Sequence, residues 1–203
     1  GSILYMHTIP PNGGGDTIFV SLYAAYDALS DRMKTYLEGL TALHDGVRIF
    51  GDGTPRTEHP VVIRHPESGK KALYMSSSAV RWLEGLPKGE GKGIAKFLKE
   101  HCRSPEFFFR FRWEPHSIAF WDNRCCNHYA INDYLPDVRS GYRVQIEGHA
   151  PLDLAAVLAA FVLDTEQSES AERVHAIDLR QVEELEVRLA GPRHREADGI
   201  ALI

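Results

Sequence analysis

Residues 121–143 read Trp121-Asp122-Asn123-Arg124-Cys125-Cys126-Asn127-His128-Tyr129-Ala130-Ile131-Asn132-Asp133-Tyr134-Leu135-Pro136-Asp137-Val138-Arg139-Ser140-Gly141-Tyr142-Arg143. From 138 to 147 the pattern is that of a β-strand, in which alternate side chains point to opposite faces. Arg139, Gly141, Arg143 and Gln145 then share one face, and Ser140, Tyr142, Val144 and Ile146 share the other. Four residues of strand put the two guanidinium groups roughly 13 Å apart. If their face is exposed, both are simply hydrated. If it lines a barrel interior, both cations need anionic partners, because a buried unpaired charge is costly. A pocket for one or two small anions follows in that case.

The flanking sequence is rich in strands. Residues 117–121 read as a strand, and 107–113 alternate Phe107, Phe109, Phe111 and Trp113 with Arg110 and Arg112, giving one aromatic face expected in the core. Residues 91–102 read as an amphipathic helix with Ile94, Phe97, Leu98 and His101 on one side. A hairpin is expected from strands 60–65 and 71–75 around Pro66-Glu67-Ser68-Gly69, and residues 46–59 read as a loop. Residues 22–40 have helical spacing, with Ser30-Asp31 placed to cap a second short helix. Strands at 3–6 and 17–21 flank the turn-forming Pro10-Pro11-Asn12-Gly13-Gly14-Gly15-Asp16. The expected fold is mainly β with helices, a jelly-roll barrel over residues 1–150. After Gly148 the character changes, and residues 151–203 are expected to be a mostly helical C-terminal extension. There, 152–163 is alanine-rich, 167–171 is polar, 181–189 is helical in spacing, and 174–179 and 199–203 read as short strands.

The chain has 203 residues and a formal net charge of −5. That balance argues against nucleic-acid binding by bulk electrostatics, and no polybasic segment points to a membrane surface. The longest apolar run, 154–163, is too short to span a bilayer. No basic-then-apolar leader opens the sequence. Three cysteines, two of them adjacent, do not form a disulfide framework and suit a reducing compartment. A cytoplasmic protein acting on a small molecule is the expectation, with a homo-oligomer left open.

Taken together, the motifs resemble the taurine dioxygenase (TauD/TfdA-like) family of Fe(II)- and 2-oxoglutarate-dependent dioxygenases. The matching stretches are Gly14-Gly15-Asp16-Thr17, Ala25-Tyr26-Asp27-Ala28-Leu29-Ser30, His59-Pro60-Val61-Val62, His65-Pro66-Glu67-Ser68-Gly69-Lys70, Pro105-Glu106-Phe107, and 121–128 with 133–143, in the family's order. The resemblance implies a double-stranded β-helix (jelly-roll) core. It implies that His128 is a metal ligand, the distant histidine of a facial triad. It further implies that Thr17 and Arg139 hold the distal carboxylate of 2-oxoglutarate, a task that suits the arginine fork. Arg143 matches a position that contacts the anionic end of the substrate in members acting on sulfonates. Trp121 matches a wall residue. The implied reaction hydroxylates a small anionic substrate, with succinate and CO2 as coproducts. Sulfonates, sulfate esters and aryloxy acids all remain open.

One departure stands out. The family's His-x-Asp pair of iron ligands lies upstream of Gly-Gly-Asp-Thr, and the residues before Thr17 contain none. The expected reading is the C-terminal part of a dioxygenase, incomplete at its N-terminus. His65-Pro66-Glu67 and His194-Arg195-Glu196 have the right form, but they fall in the hairpin turn and the tail. The alternative is a non-catalytic jelly-roll binding or interaction module that retains the anion pocket without the iron site. Other residues carry two readings each. Cys125 and Cys126 could ligate or oxidise near iron, or fill a packed loop. His44-Asp45 could be an acid–base pair or structural. The aromatic stripe could stack on bases or form a core face. No phosphate-binding Gly-Lys-Ser/Thr, Gly-x-Ser-x-Gly elbow or metal-type cysteine pair is present.

Overall fold

The computed structural model describes residues 1–47, 51–76, 78–148 and 151. The helices and strands expected beyond residue 151, and His194-Arg195-Glu196, lie outside the described residues. Two three-stranded sheets form the part of the molecule that matters for the site. The first has the order β11–β1–β9 and the second β10–β2–β8, with neighbours antiparallel throughout. The strands are β1 (Ser2–Thr8), β2 (Thr17–Ser21), β8 (Phe108–Phe111), β9 (Ser117–Trp121), β10 (Cys126–Ala130) and β11 (Ser140–Gln145). Met6, Trp113, Ala119 and Trp121 form one apolar cluster, against which Leu4, Phe19 and Phe111 pack.

A third sheet, β4–β3–β7, differs from expectation. Its strands are β3 (Thr41–Asp45), β4 (Arg56–Pro60) and β7 (Val80–Leu83). The sequence reading had residues 46–59 as loop and no strand at 41–45 or 80–83. β4 is Arg-Thr-Glu-His-Pro, three of whose five residues are exposed. Its pairing with β3 from Thr41↔Pro60 to Asp45↔Arg56 holds it extended, not an apolar period. The hairpin forms as expected, from β5 (Val62–Arg64) and β6 (Lys71–Leu73).

The helices follow their caps. Ser21 Oγ accepts from the Ala24 N–H and starts α1 (Leu22–Asp27). Ser30 Oγ accepts from the Met33 N–H and starts α2 (Asp31–Leu37). Helix α3 (Lys88–His101) buries Gly91, Ala95 and Leu98, whereas Phe97 is 45% exposed. The face is rotated from the expected one because the helix approaches β7 closely. A Cβ on Gly91 would stand 2.4 Å from the Leu83 carbonyl oxygen, so the contacting side must be the small-residue side. These helices and the hairpin enclose the larger core around Leu37, Leu73, Leu83 and Leu98.

The aromatic stripe is split. Trp113 is buried and Phe111 half-buried, but Phe109 is 63% exposed. Phe109 shares a face with Phe19 through direct pairing, yet it sits on the outer strand of its sheet, where no described element covers it. Among the described residues, no helix is long and apolar enough to cross a membrane.

Candidate functional site

A cavity of about 180 Å³ lies between the two sheets. Leu4 and Met6 of β1, Trp121 of β9, and Arg139 and Arg143 line it from the first sheet and its approach. Thr17 of β2 and His128 of β10 line it from the second. The placement follows from register. Thr17 pairs with Ala130 and Phe19 with His128, so these four point to one face. Leu4 pairs with both Ala119 and Arg143, which turns the guanidinium to the cavity side of its sheet. Between the two arginines, Gly141 lets β11 approach β1. A Cβ there would meet the Tyr5 carbonyl at 2.3 Å and Met6 Sδ at 2.5 Å. The two possibilities left open by the sequence are thus resolved, and both arginines face a cavity.

Each guanidinium sits over an indole. Arg139 lies 5.7 Å from the Trp113 ring centre, and Arg143 lies 5.6 Å from that of Trp121. Arg139 Nε donates to the Gly15 carbonyl at 2.8 Å, and its Nη2 reaches Thr17 Oγ1 at 3.4 Å. Trp113 Nε1 donates to the same Thr17 oxygen at 2.9 Å. Arg143 Nη2 donates to Ser2 Oγ at 3.3 Å, while its Nε is buried without a hydrogen-bond partner. Neither arginine has a carboxylate partner among the described residues. Burial pushes both guanidinium pKa values down from their usual range. The His128 ring packs 4.6 Å from the Trp121 ring. Burial, then the nearby Arg143 charge, lowers its pKa to about 4. At neutral pH the imidazole is uncharged and keeps a lone pair for a metal.

Thr17, His128, Arg139 and Arg143 therefore meet in one cavity. The other sequence candidates do not. His65 lies by the hairpin turn, where Nε2 meets Asp122 Oδ2 at 3.0 Å and Nδ1 meets Glu67 Oε2 at 3.1 Å. His65, Asp122 and Cys125 come close enough to resemble a metal-ligand set. However, Arg124 already holds the Asp122 carboxylate at 2.6–3.0 Å and reaches Glu67 at 3.1 Å. The cluster is a charge network tying the hairpin to the β9–β10 turn. Its first cause, the Arg124 hydrogen bonds, drives the Asp122 carboxyl far below the usual range. Cys126 is not in a loop but in β10, and burial raises its thiol to about 11. Asp45 pairs with Arg56 at 3.2 Å and Arg81 at 3.7 Å, away from the cavity. Sequence reasoning missed Ser2 and the support given by Trp113. Trp113 was visible as the end of the aromatic alternation, whereas nothing in the sequence marks Ser2.

Residues 1–145 match the model of the family described as "Taurine catabolism dioxygenase TauD, TfdA family". The chain is 36% identical over 157 residues to an alpha-ketoglutarate-dependent dioxygenase of Penicillium expansum, covering 70% of this chain and 42% of that protein. It is 37% identical over 139 residues to the alpha-ketoglutarate-dependent 2,4-dichlorophenoxyacetate dioxygenase of Cupriavidus pinatubonensis, covering 63% and 48%. Among solved structures it resembles a taurine dioxygenase from Burkholderia xenovorans with a TM-score of 0.70 and 38% identity, covering 76% of this chain and 54% of that one. The chain thus spans about half the length of the proteins it matches. With the family model matched from the first strand to the last, and a jelly-roll core in its structural neighbours, the chain belongs to the TauD/TfdA dioxygenase family.

Proposed function

We propose that this chain supplies the cosubstrate clamp, one metal ligand and the substrate-anion anchor of an Fe(II)- and 2-oxoglutarate-dependent dioxygenase. The substrate is a small organic anion, hydroxylated with release of succinate and CO2. The observation that carries this reading is the pair of half-buried guanidinium groups facing one cavity with no carboxylate partner among the described residues, one of them with an orphaned buried N–H. Such a site is incomplete without anions. Two cations lining one cavity from positions four residues apart in the chain suit a dicarboxylate and a second anion. The names of relatives support the class, since taurine and 2,4-dichlorophenoxyacetate each carry an acidic group.

The residues divide the work. Arg139, held by Gly15 and backed by Trp113, receives the distal carboxylate of 2-oxoglutarate with Thr17 beside it. His128, uncharged, offers a nitrogen to the metal. Iron, when bound, supplies the oxidising chemistry toward O2 and the 2-oxoacid. Arg143 draws the anionic end of the substrate and so fixes which carbon faces the metal. Trp121 and Phe19 pack against His128 and keep water from that side. The described lining holds one imidazole and no carboxylate, so the remaining ligands come from outside the described residues. The three cysteines are free thiols, which suits a reducing cytoplasm.

The test is Fe(II)- and 2-oxoglutarate-dependent succinate formation by the protein carrying this chain, screened against sulfonates, sulfate esters and aryloxy acids. Turnover that is lost in His128→Ala supports the reading. Binding of 2-oxoglutarate without turnover under any substrate would favour a non-catalytic anion-binding module instead.

A further inference from the structure

The two arginine seats share one design. At Arg139, the guanidinium lies over Trp113, and the Thr17 hydroxyl oxygen accepts from both the guanidinium and the indole N–H. At Arg143, the guanidinium lies over Trp121, and the Ser2 hydroxyl oxygen accepts from the guanidinium. Here the indole is one step further away, and Asn123 bridges the gap. Trp121 Nε1 donates to Asn123 Oδ1 at 2.8 Å, and Asn123 Nδ2 donates to Ser2 Oγ at 2.9 Å.

The hydrogen-bond roles in this ring are fixed. An indole N–H only donates, so the Asn123 oxygen faces it and the Asn123 amide nitrogen faces Ser2. A guanidinium only donates, so Ser2 Oγ accepts twice and both of its lone pairs are used. Backbone register supports the ring, because Ser2 pairs with Trp121 on one side and with Gln145 on the other. Ser2 is fully buried, so it cannot touch a ligand directly. Whatever it does, it does through Arg143.

We propose that Ser2 and Asn123 are positioning residues that hold Arg143 over Trp121 and so set the affinity for the anionic end of the substrate. This rests on the reading of Arg143 as the substrate anchor. Removing the Ser2 hydroxyl leaves Arg143 with no hydrogen-bonded side-chain partner among the described residues, and removing the Asn123 amide leaves that partner unfixed. The guanidinium then has to be ordered by the ligand, which weakens binding. The Arg139 seat shares none of these hydrogen bonds and is unaffected.

The experiment titrates two probes by calorimetry into the full chain. Methanesulfonate reports the Arg143 seat, and N-oxalylglycine, a 2-oxoglutarate analogue, reports the Arg139 seat. Ser2→Ala and Asn123→Leu, which is close in size, uncharged and without a hydrogen-bonding group, are each expected to weaken methanesulfonate by about fivefold or more, the scale of a charge-assisted hydrogen bond. N-oxalylglycine binding should stay within about twofold, the resolution of such a titration. Ser2→Thr, which keeps the hydroxyl, should restore methanesulfonate binding. In the folded Asn123→Leu protein, one of the indole N–H resonances should shift and the others should not. Equal weakening of both probes, or no weakening of either, would overturn the proposal. Arg143→Ala separates the two failures. If it abolishes methanesulfonate binding while Ser2→Ala and Asn123→Leu do not weaken it, the anchor stands and the positioning role falls. If wild type and Arg143→Ala bind methanesulfonate equally, or neither binds it, the anchor itself falls, and the positioning role with it.

Discussion

Gly15 and Arg139 are fitted to each other. Arg139 Nε donates to the Gly15 carbonyl at 2.8 Å, and a Cβ on Gly15 would stand 2.6 Å from Arg139 Cδ. Gly15 also has φ of +83°, and its N–H donates to Asp133 Oδ1 at 2.7 Å. The Gly-Gly-Asp-Thr turn is therefore shaped around Arg139 as much as around its own bend.

Gly15→Ala should act in two ways. The positive φ alone costs about 1–3 kcal/mol. The added methyl also pushes Arg139 off Thr17. Urea unfolding should show the loss of stability, and N-oxalylglycine titration should show weakened binding. A variant as stable and as tight-binding as wild type would contradict the fit.

The charge network at the β9–β10 turn is not part of the cavity lining and is expected to act on stability. Asp122→Asn removes the charge and replaces one of two accepting oxygens with an NH2 donor, so Arg124 and His65 can no longer both be satisfied as they are. The expected cost is about 2–3 kcal/mol, the range for hydrogen bonds to a charged group. It should appear as a lower urea midpoint with an unchanged slope. A neutral result would mean that the network is a surface ornament despite its geometry.

His44 predicts a pH dependence. Burial, with His59 and Lys99 adding repulsion, lowers its folded pKa to about 4 from the usual 6.5. Its ring stacks on Tyr74, and its Nε2 has no hydrogen-bond partner. In the unfolded chain it binds a proton near pH 6.5, so the unfolded state holds more protons between those values. Stability is then full above pH 6.5 and falls as the pH drops toward 4. The loss is about 3 kcal/mol for a shift of this size. His44→Phe should flatten the stability profile over that window relative to wild type. An unchanged difference between pH 7 and pH 4 would refute it.

How much of this was legible beforehand depends on where the physics sits. At the site, β2 and β9 were visible because Ile-Phe-Val and Ser-Ile-Ala-Phe-Trp carry their own β pattern, but β10, which carries His128, was not, since Cys-Asn-His-Tyr-Ala is held extended by its pairing with β2. Ser30 announced α2 as its cap, whereas Ser21, legible only as the end of a strand, also caps α1. β4 was not legible, because Arg-Thr-Glu-His-Pro is extended only through its pairing with β3. The face of α3 was misjudged because apolarity pointed to Phe97, whereas the close approach to Leu83 favours Gly91. At the site, Thr17, His128, Arg139 and Arg143 could be named from their motifs and strand spacing. Ser2 and Asn123 could not be assigned a part, since their link spans 121 residues of chain and is made by register alone.

On the proposed reading, the cavity between the two sheets binds 2-oxoglutarate through Arg139. Calorimetric titration of N-oxalylglycine into wild type and Arg139→Ala tests it most directly. Saturable binding to wild type and at least a tenfold loss in the variant, about 1.4 kcal/mol or more, are expected. Equal affinity in the two proteins would contradict it.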